Sequence, residues 1–288
     1  MTRSNQNALI TGGTDGLGKA AALLLARRGY VVFAAGRSAQ KRESLDHSAK
    51  EERLPIHTLE IDVCDPASVQ IAVEWVLEKG GSIDVLINNA GVGYMAVVEE
   101  LRLDDLRKQY ETNVFGVLNV TQAVLPHMRQ RRKGRILMMS SAAGLVTPPT
   151  YGAYSSSKHA LEGLSNALRL EMYPFGIDVI LIEPGYIVTN FQQTAKELAQ
   201  PYAEGAKTSP YAEIYSAAWD GANQARRRSK TTPEDCARVM LRAIEARHPK
   251  ARYTVTPLAA WISFAKRVLP DSLVDSILRK RFGITRVS

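Results

Sequence analysis

The chain has 288 residues, 45% apolar and 23% charged, enough for one large domain with a full core and too ordinary in composition for a repeat or disordered protein. Its two cysteines, Cys64 and Cys236, exclude a disulfide framework and a cysteine-rich metal cluster, and both read as reduced and structural. The net charge of +8 lies in the last third, because residues 195–288 hold 17 Lys/Arg against 9 Asp/Glu while residues 1–194 hold 20 of each.

The first strand, Asn7 to Thr11, runs into a glycine-rich turn at Gly12 to Gly18 and an Ala/Leu-rich helix from Leu17 to Arg28 that stops at Gly29. Tyr30 to Ala35 is a second strand, followed by a charged helix to about Glu52 and a third strand at Ile56 to Ile61. A helix at Pro66 to Lys79, a strand at Ile83 to Asn88, a long helix at Asp104 to Met128 and a strand at Arg135 to Met139 continue the alternation. Tyr151 to Tyr173 is helical, Ile177 to Ile182 is a buried strand ending at Pro184-Gly185, and Arg252 to Val255 offers one more strand. Repeated β-α units predict an α/β fold, a doubly wound Rossmann-type parallel sheet with helices on both faces. Ligands bind such sheets beyond the carboxyl ends of the strands. The chemically informative residues fall there or on the helix that follows.

At the first strand end, Gly12, Gly16 and Gly18, with Thr14, Asp15 and Leu17 between them, let the chain turn sharply and bring a pyrophosphate against the backbone at a helix N-terminus. A plain tight turn is the alternative. The second strand ends at Arg37-Ser38 with no carboxylate for a ribose 2'-hydroxyl; a guanidinium and a hydroxyl suit a 2'-phosphate, so NADP is expected ahead of NAD. The other reading of Arg37 is a surface arginine. Asp62 fits the adenine amino group and the Val63 amide a ring nitrogen, or Asp62 is a loop or capping carboxylate. Asn88-Asn89-Ala90-Gly91 closes the fourth strand, its short side chains supporting the sheet end while the backbone passes close to the cofactor. Asn113 is an uncommon choice inside a helix, where it ordinarily faces solvent.

Ser141 follows the fifth strand, and Tyr154 and Lys158 stand four residues apart on the next helix, which sets the ammonium beside the phenol. A free phenol titrates near ~10, and about 4 kcal/mol of preferential phenolate stabilisation would bring it to roughly 7. One ammonium plus a cationic cofactor can supply that. Alone, the Tyr-xxx-Lys spacing also arises by chance.

Taken in order, the glycine turn, Asp62, Asn88 to Gly91, Asn113, Ser140-Ser141, Tyr154-xxx-Lys158 and Pro184-Gly185 with Thr189 resemble the short-chain dehydrogenase/reductase family over roughly residues 7–191. The resemblance implies that Tyr154 is the general acid/base and that Ser141 holds the substrate oxygen. It implies that Lys158 binds the nicotinamide ribose and lowers the Tyr154 pKa, and that Asn113 anchors a water relaying protons to Lys158. It further implies that Ile187, beside Pro184 and Gly185, offers its amide to the nicotinamide carboxamide, with Thr189 adding a hydroxyl. Asp15 departs from the pattern, since many NADP-preferring relatives carry a basic residue there and a carboxylate opposes a 2'-phosphate. By the same resemblance the helices at 104–128 and 151–173 pair in a homodimer or homotetramer.

Residues 1–194 are thus read as an NADP-binding core with the catalytic residues, and 195–288 as a substrate lid and C-terminal helical extension of the same domain. Tyr202, Tyr211, Tyr215 and Trp219 within 195–231 fit a lid or a surface excursion with packing aromatics. Thr232-Pro233-Glu-Asp235 reads as the capped start of a helix to about His248. Leu258 to Leu269 and Asp271 to Phe282, joined at Pro270, set apolar residues near helical spacing beside Lys266 and Arg279-Lys280-Arg281. Residues 258–282 can rest on an anionic membrane or pack on the body of the protein.

No DNA- or RNA-binding motif accompanies the basic excess, so no nucleic acid is expected. The five histidines lie outside metal-ligand spacing, so no metal is expected either. The short polar lead before Ala8 and the lack of an 18-residue apolar span make a cytoplasmic protein, with peripheral membrane association as the further option, the expectation. Extended members that this chain is similar to act on sterols, retinoids or long-chain keto-lipids. The reading is therefore an NADP(H)-dependent oxidoreductase interconverting a carbonyl and an alcohol on a small or lipid-like apolar ketone, aldehyde or alcohol, with reduction preferred. Its rival is a noncatalytic NADP-binding sensor or membrane-associated scaffold.

Overall fold

The computed structural model describes residues 6–285, so the outer ends of the two expected segments, 1–194 and 195–288, lie outside the described residues. Short apolar runs covered on both faces form parallel strands. These are β1 (Asn7–Thr11), β2 (Val31–Ala35), β3 (Ile56–Leu59), β4 (Val85–Asn88), β5 (Gly134–Met139), β6 (Ile177–Glu183) and β7 (Arg252–Thr254). All pair in parallel, in the order β3-β2-β1-β4-β5-β6-β7. The predicted third strand runs to Ile61, but β3 stops at Leu59 because its partner strand among the described residues, β2, ends at Ala35, opposite Leu59.

The helices between the strands start where their sequences cap them. α1 (Gly16–Arg27) begins at Asp15, whose carboxylate accepts the Gly16 amide at 2.7 Å. α2 (Ala39–Glu51) is capped by Ser38. α3 (Pro66–Gly80) is capped by Asp65, has Pro66 at its first position and ends at Gly81 with φ 71°. The long helix predicted at 104–128 is two helices, α4 (Leu103–Tyr110) and α5 (Gly116–Arg131), joined by a π-helical turn at Glu111–Phe115. α6 (Gly152–Met172) carries Tyr154 and Lys158.

The segment after β6 is helical: α7 (Asn190–Gly205), α8 (Ala212–Arg228) and α9 (Pro233–Glu245). Buried Tyr202 donates to Asp105 Oδ2 at 2.7 Å and accepts the Arg102 amide at 3.2 Å. Buried Tyr215 donates to Glu100 Oε2 at 2.8 Å and accepts the Val97 amide at 3.1 Å. These hydroxyls fasten α7 to the start of α4 and α8 to the chain just ahead of it. α9, capped reciprocally by Thr232 and Asp235, puts Cys236, Ala237, Met240 and Ile244 into the core that covers one face of the sheet, with Ile10, Leu25 and Tyr30. Leu9, Phe33, Val120, Met128 and Ile136 build the core on the other face. α10 (Pro257–Val268) and α11 (Asp271–Arg281) close the described chain. Among the described residues no helix is long and apolar enough to cross a membrane.

Candidate active site

Strand order reverses between β1 and β4, and the crevice beyond their carboxyl ends is where a doubly wound sheet takes a ligand. The glycine turn occupies it. Gly12 (φ 61°) and Gly16 (φ 51°) are left-handed, and a Cβ on Gly18 would lie 2.2 Å from the Gly12 carbonyl, so the turn needs these residues to bend back on itself. The first amides of α1, at Leu17 and Gly18, have no intrahelical acceptor and face the turn as an anion site. Thr14 is buried against Gly36, where a Cβ would meet its hydroxyl at 2.4 Å. Thr11 Oγ1 accepts the Asn89 and Ala90 amides at 3.0 and 3.1 Å, while Asn89 Nδ2 donates to the Thr11 and Gly12 carbonyls at 3.0 Å each. The β1 and β4 ends are thereby knotted together.

At the β2 and β3 ends, exposed Arg37 lies 3.8 Å from Asp62. Ser38 Oγ accepts the Lys41 amide at 3.4 Å as the α2 cap. Asp62 Oδ1 accepts the Cys64 amide at 3.0 Å, and the carbonyl of buried Val63 accepts Asn119 Nδ2 at 3.0 Å. Asp62 therefore braces its own loop as well as facing Arg37. Asp15, the one residue that the sequence sets against a 2'-phosphate, is bonded by Lys41 Nζ at 2.5 Å and Asn190 Nδ2 at 3.0 Å. Burial raises its carboxyl, but Lys41, Asn190 and the Gly16 amide outweigh burial and hold it below its ordinary value. Its charge is already matched by Lys41.

Asn113 does not face solvent as a mid-helix asparagine would. It is fully buried in the π-helical turn, accepting the Val92 amide at 2.9 Å and donating to the Val92 carbonyl at 3.0 Å and Ser157 Oγ at 3.2 Å. Gln109 reinforces the grip, donating to the Val92 carbonyl and accepting the Tyr94 amide, both at 2.8 Å. Gly91 lies between this group and Lys158, since a Cβ there would sit 3.3 Å from Asn113 Oδ1 and 3.8 Å from Lys158 Nζ.

Lys158 is buried, donates to the Met139 carbonyl at 2.7 Å and stands 5.7 Å from the Tyr154 ring centroid. Ser141 Oγ accepts the Ala143 amide at 3.1 Å, and its hydroxyl acts on the Tyr154 phenol to favour the phenolate. Burial pushes the Tyr154 phenol up to about 12 despite the opposing Ser141 bond, and pushes the Lys158 ammonium down to about 8 despite the charge of Glu162. The phenol thus does not reach the neutral range on protein groups alone. Lys158 faces the ring and gives a hydrogen bond to Met139, while burial sets the direction of the phenol's shift.

The loop after β6 completes the site. The Pro184 carbonyl accepts the Ala142 amide at 2.8 Å, and a Cβ on Gly185 would lie 2.2 Å from Thr256 Oγ1. Ile187 is buried, with its carbonyl held by Gln192 Nε2 at 2.7 Å. Thr189 caps α7 reciprocally with Gln192 and sits beside Gly16, where a Cβ would be 3.4 Å from its own. The glycine turn, Arg37, Asp62, Asn88 to Gly91, Ser141 and Pro184-Gly185 follow the carboxyl ends of the strands, while Asn113 lies in the π-helical turn and Tyr154 and Lys158 on α6. Thr11 opens the glycine-turn motif but has no role assigned from the sequence, and Lys41, Gln109, Ser157 and Phe191, whose ring centroid is 5.6 Å from that of Tyr154, are not singled out there. Thr11 could have been found as a hydroxyl at the β1 end; nothing local marks Phe191, 37 positions beyond Tyr154.

Comparison with known proteins identifies the family. The profile of the family described as short chain dehydrogenase matches residues 6–200. The chain is 36% identical to an NADPH-dependent 3-dehydrocapnine reductase of Ornithobacterium rhinotracheale, over 95% of this chain and 96% of that protein. It is 34% identical to a 3-ketodihydrosphingosine reductase of Bacteroides thetaiotaomicron, over 97% and 98%. A solved short-chain dehydrogenase from Streptomyces avermitilis superposes with a TM-score of 0.76 at 27% identity, over 95% of this chain and 96% of that one.

Proposed function

The chain belongs to the short chain dehydrogenase family, and from that premise we propose that it is an NADPH-dependent reductase converting the ketone of a lipid-like substrate to a secondary alcohol. The observation that carries this reading is the meeting of Ser141, Tyr154 and Lys158, with the Lys158 ammonium 5.7 Å from the Tyr154 ring, at the edge that bears the glycine turn. A nicotinamide dinucleotide, when bound, supplies the hydride. Tyr154 donates its phenolic proton to the carbonyl oxygen as the carbonyl carbon gains hydride, and Ser141 donates a hydrogen bond to the same oxygen. Lys158, held at Met139, keeps a positive charge by the phenol and has further N–H groups for the ribose hydroxyls. Asn113 fixes Val92 and Ser157 around it.

For the cofactor, the free amides of α1, the exposed Arg37 and the Lys41 charge against Asp15 fit a 2'-phosphorylated dinucleotide. For the substrate, the support is the 3-dehydrocapnine and 3-ketodihydrosphingosine reductases among the relatives and the aromatic rings of Tyr151 and Phe191 beside Tyr154. The test follows NADPH and NADH consumption in parallel over ketones of rising chain length. NADPH should be preferred and rates should rise with chain length, and Arg37→Ala should lower kcat/KM for NADPH about tenfold while leaving NADH use unchanged. Equal use of NADH would refute the cofactor assignment; turnover confined to short polar ketones would refute the substrate class.

A further inference from the structure

Among the described residues, six of the fifteen exposed large apolar side chains fall between residues 258 and 277. On α10, Trp261, Phe264 and Val268 are 54, 65 and 58% exposed and, at i, i+3 and i+7, share one stripe of the helix. On α11, Leu273 and Ile277, one turn apart, are also exposed. Scattered single apolar residues on a surface carry no message, but exposed apolar residues at helical spacing on two consecutive helices do.

The charge beside the stripe says what covers it. Lys280 and Arg281 follow Ile277 by three and four residues and so flank it on the helix. Arg281 Nη1 donates to Gln224 Oε1 at 3.1 Å, and the Phe282 ring packs where a Cβ on Gly221 would lie 3.2 Å away. The end of α11 therefore lies on α8, whose last turn is Arg226-Arg227-Arg228. Among the described residues none of these three arginines, nor Arg279, Lys280 or Arg281, forms an ion pair with a carboxylate, whereas Lys266 is paired with Asp271. A second copy of the chain would bring these cations against their own equivalents across a two-fold axis, which like charges oppose. An anionic surface that also accepts apolar side chains satisfies both halves of the patch.

We propose that α10 and α11, with the last turn of α8, seat the protein on an anionic lipid bilayer, the apolar stripe entering the acyl boundary and the cations meeting the headgroups. α10 starts at Thr256, whose hydroxyl abuts Gly185 in the loop that holds the Ser141 turn, so the seated face adjoins the active-site edge. The binding does not depend on the proposed reaction.

The test is co-sedimentation of the full chain, without substrate, with vesicles of phosphatidylcholine alone or of phosphatidylcholine mixed with phosphatidylserine. Wild type should bind the mixed vesicles, less so as salt rises, and stay largely in solution with the neutral ones. Trp261→Asp/Phe264→Asp and, separately, Arg279→Glu/Lys280→Glu/Arg281→Glu should each lower the partition coefficient about tenfold or more. All five positions are exposed, and thermal unfolding checks that each variant is folded, either one sufficing for the test. Wild type remaining in solution with mixed vesicles, or folded variants sedimenting as well as wild type, would overturn the proposal. So would a sedimentation-velocity dimer that dissociates in Trp261→Asp/Phe264→Asp, which would assign the stripe to a second copy.

Discussion

Burial moves Tyr154 and Lys158 in opposite directions, the phenol up to about 12 and the ammonium down to about 8. The phenol therefore stays protonated through the neutral range, as a proton donor in reduction must. Lys158 loses its charge as pH rises through about 8, so the reductive rate should fall above that pH. Tyr154→Phe should cut kcat roughly 10²- to 10⁴-fold while NADPH binding, followed by fluorescence titration, is retained; unchanged turnover would remove Tyr154 from the reaction. Stability runs the other way with pH. Between about 8 and 10.5 an unfolded Lys158 holds a proton that the folded one has lost, so unfolding free energy rises with pH across that window. Urea unfolding of Lys158→Met should lack this share of the rise. The four-residue spacing was legible as a shared helix face, but not the direction of Nζ. That is set by the Met139 carbonyl, nineteen residues back on another element.

Between α4 and α5 the π-helical turn changes what a sequence reading of one long helix implies. A π-helical turn is rare and frequents functional sites, and here it holds Asn113 buried against Val92 and Ser157. Asn113→Ala would leave the Val92 amide without its acceptor, and an orphaned buried donor costs about 1–3 kcal/mol. Urea unfolding should show that loss, and Asn113→Asp should not recover it, because a carboxylate keeps the acceptor but sets a buried oxygen against the Val92 carbonyl that the Asn113 amide nitrogen now bonds. The regular elements were legible because their signals are local: the β1 and β2 runs are apolar nearly throughout, and Asp65-Pro66 and Thr232-Pro233 announce helix starts. The π-helical turn was not, because its residues carry the same apolar period as the helices it joins. The anchoring of α7 and α8 was equally hidden, since Tyr202 finds Asp105 across 97 positions and Tyr215 finds Glu100 across 115.

At the scale of the whole molecule, the last third of the chain is built into the sheet as well as laid over it. β7 continues the sheet past β6, and Arg252 on β7 reaches back across it, bonding Glu183 of β6 at 2.6 Å, Asn166 of α6 at 3.2 Å and also Glu162 of α6. Glu162 and Glu183 are buried, and Glu162 lies one turn beyond Lys158, where its charge opposes the effect of burial on that ammonium. One guanidinium thus joins β7, β6 and α6, the helix that carries Tyr154 and Lys158. A buried pair contributes little net stability when intact, but removing one partner leaves a charge that water cannot reach, at a cost of about 3–5 kcal/mol. Arg252→Met should lower the unfolding free energy in urea by about that amount. Adding Glu162→Gln and Glu183→Gln should recover most of it, because the penalty belongs to the two buried carboxylates that lose the guanidinium rather than to lost packing. A single variant with the wild-type urea midpoint would mean that β7 is held by its backbone alone. Recovery in the triple variant would show that the extension and the core are tied through one buried charge cluster next to Lys158.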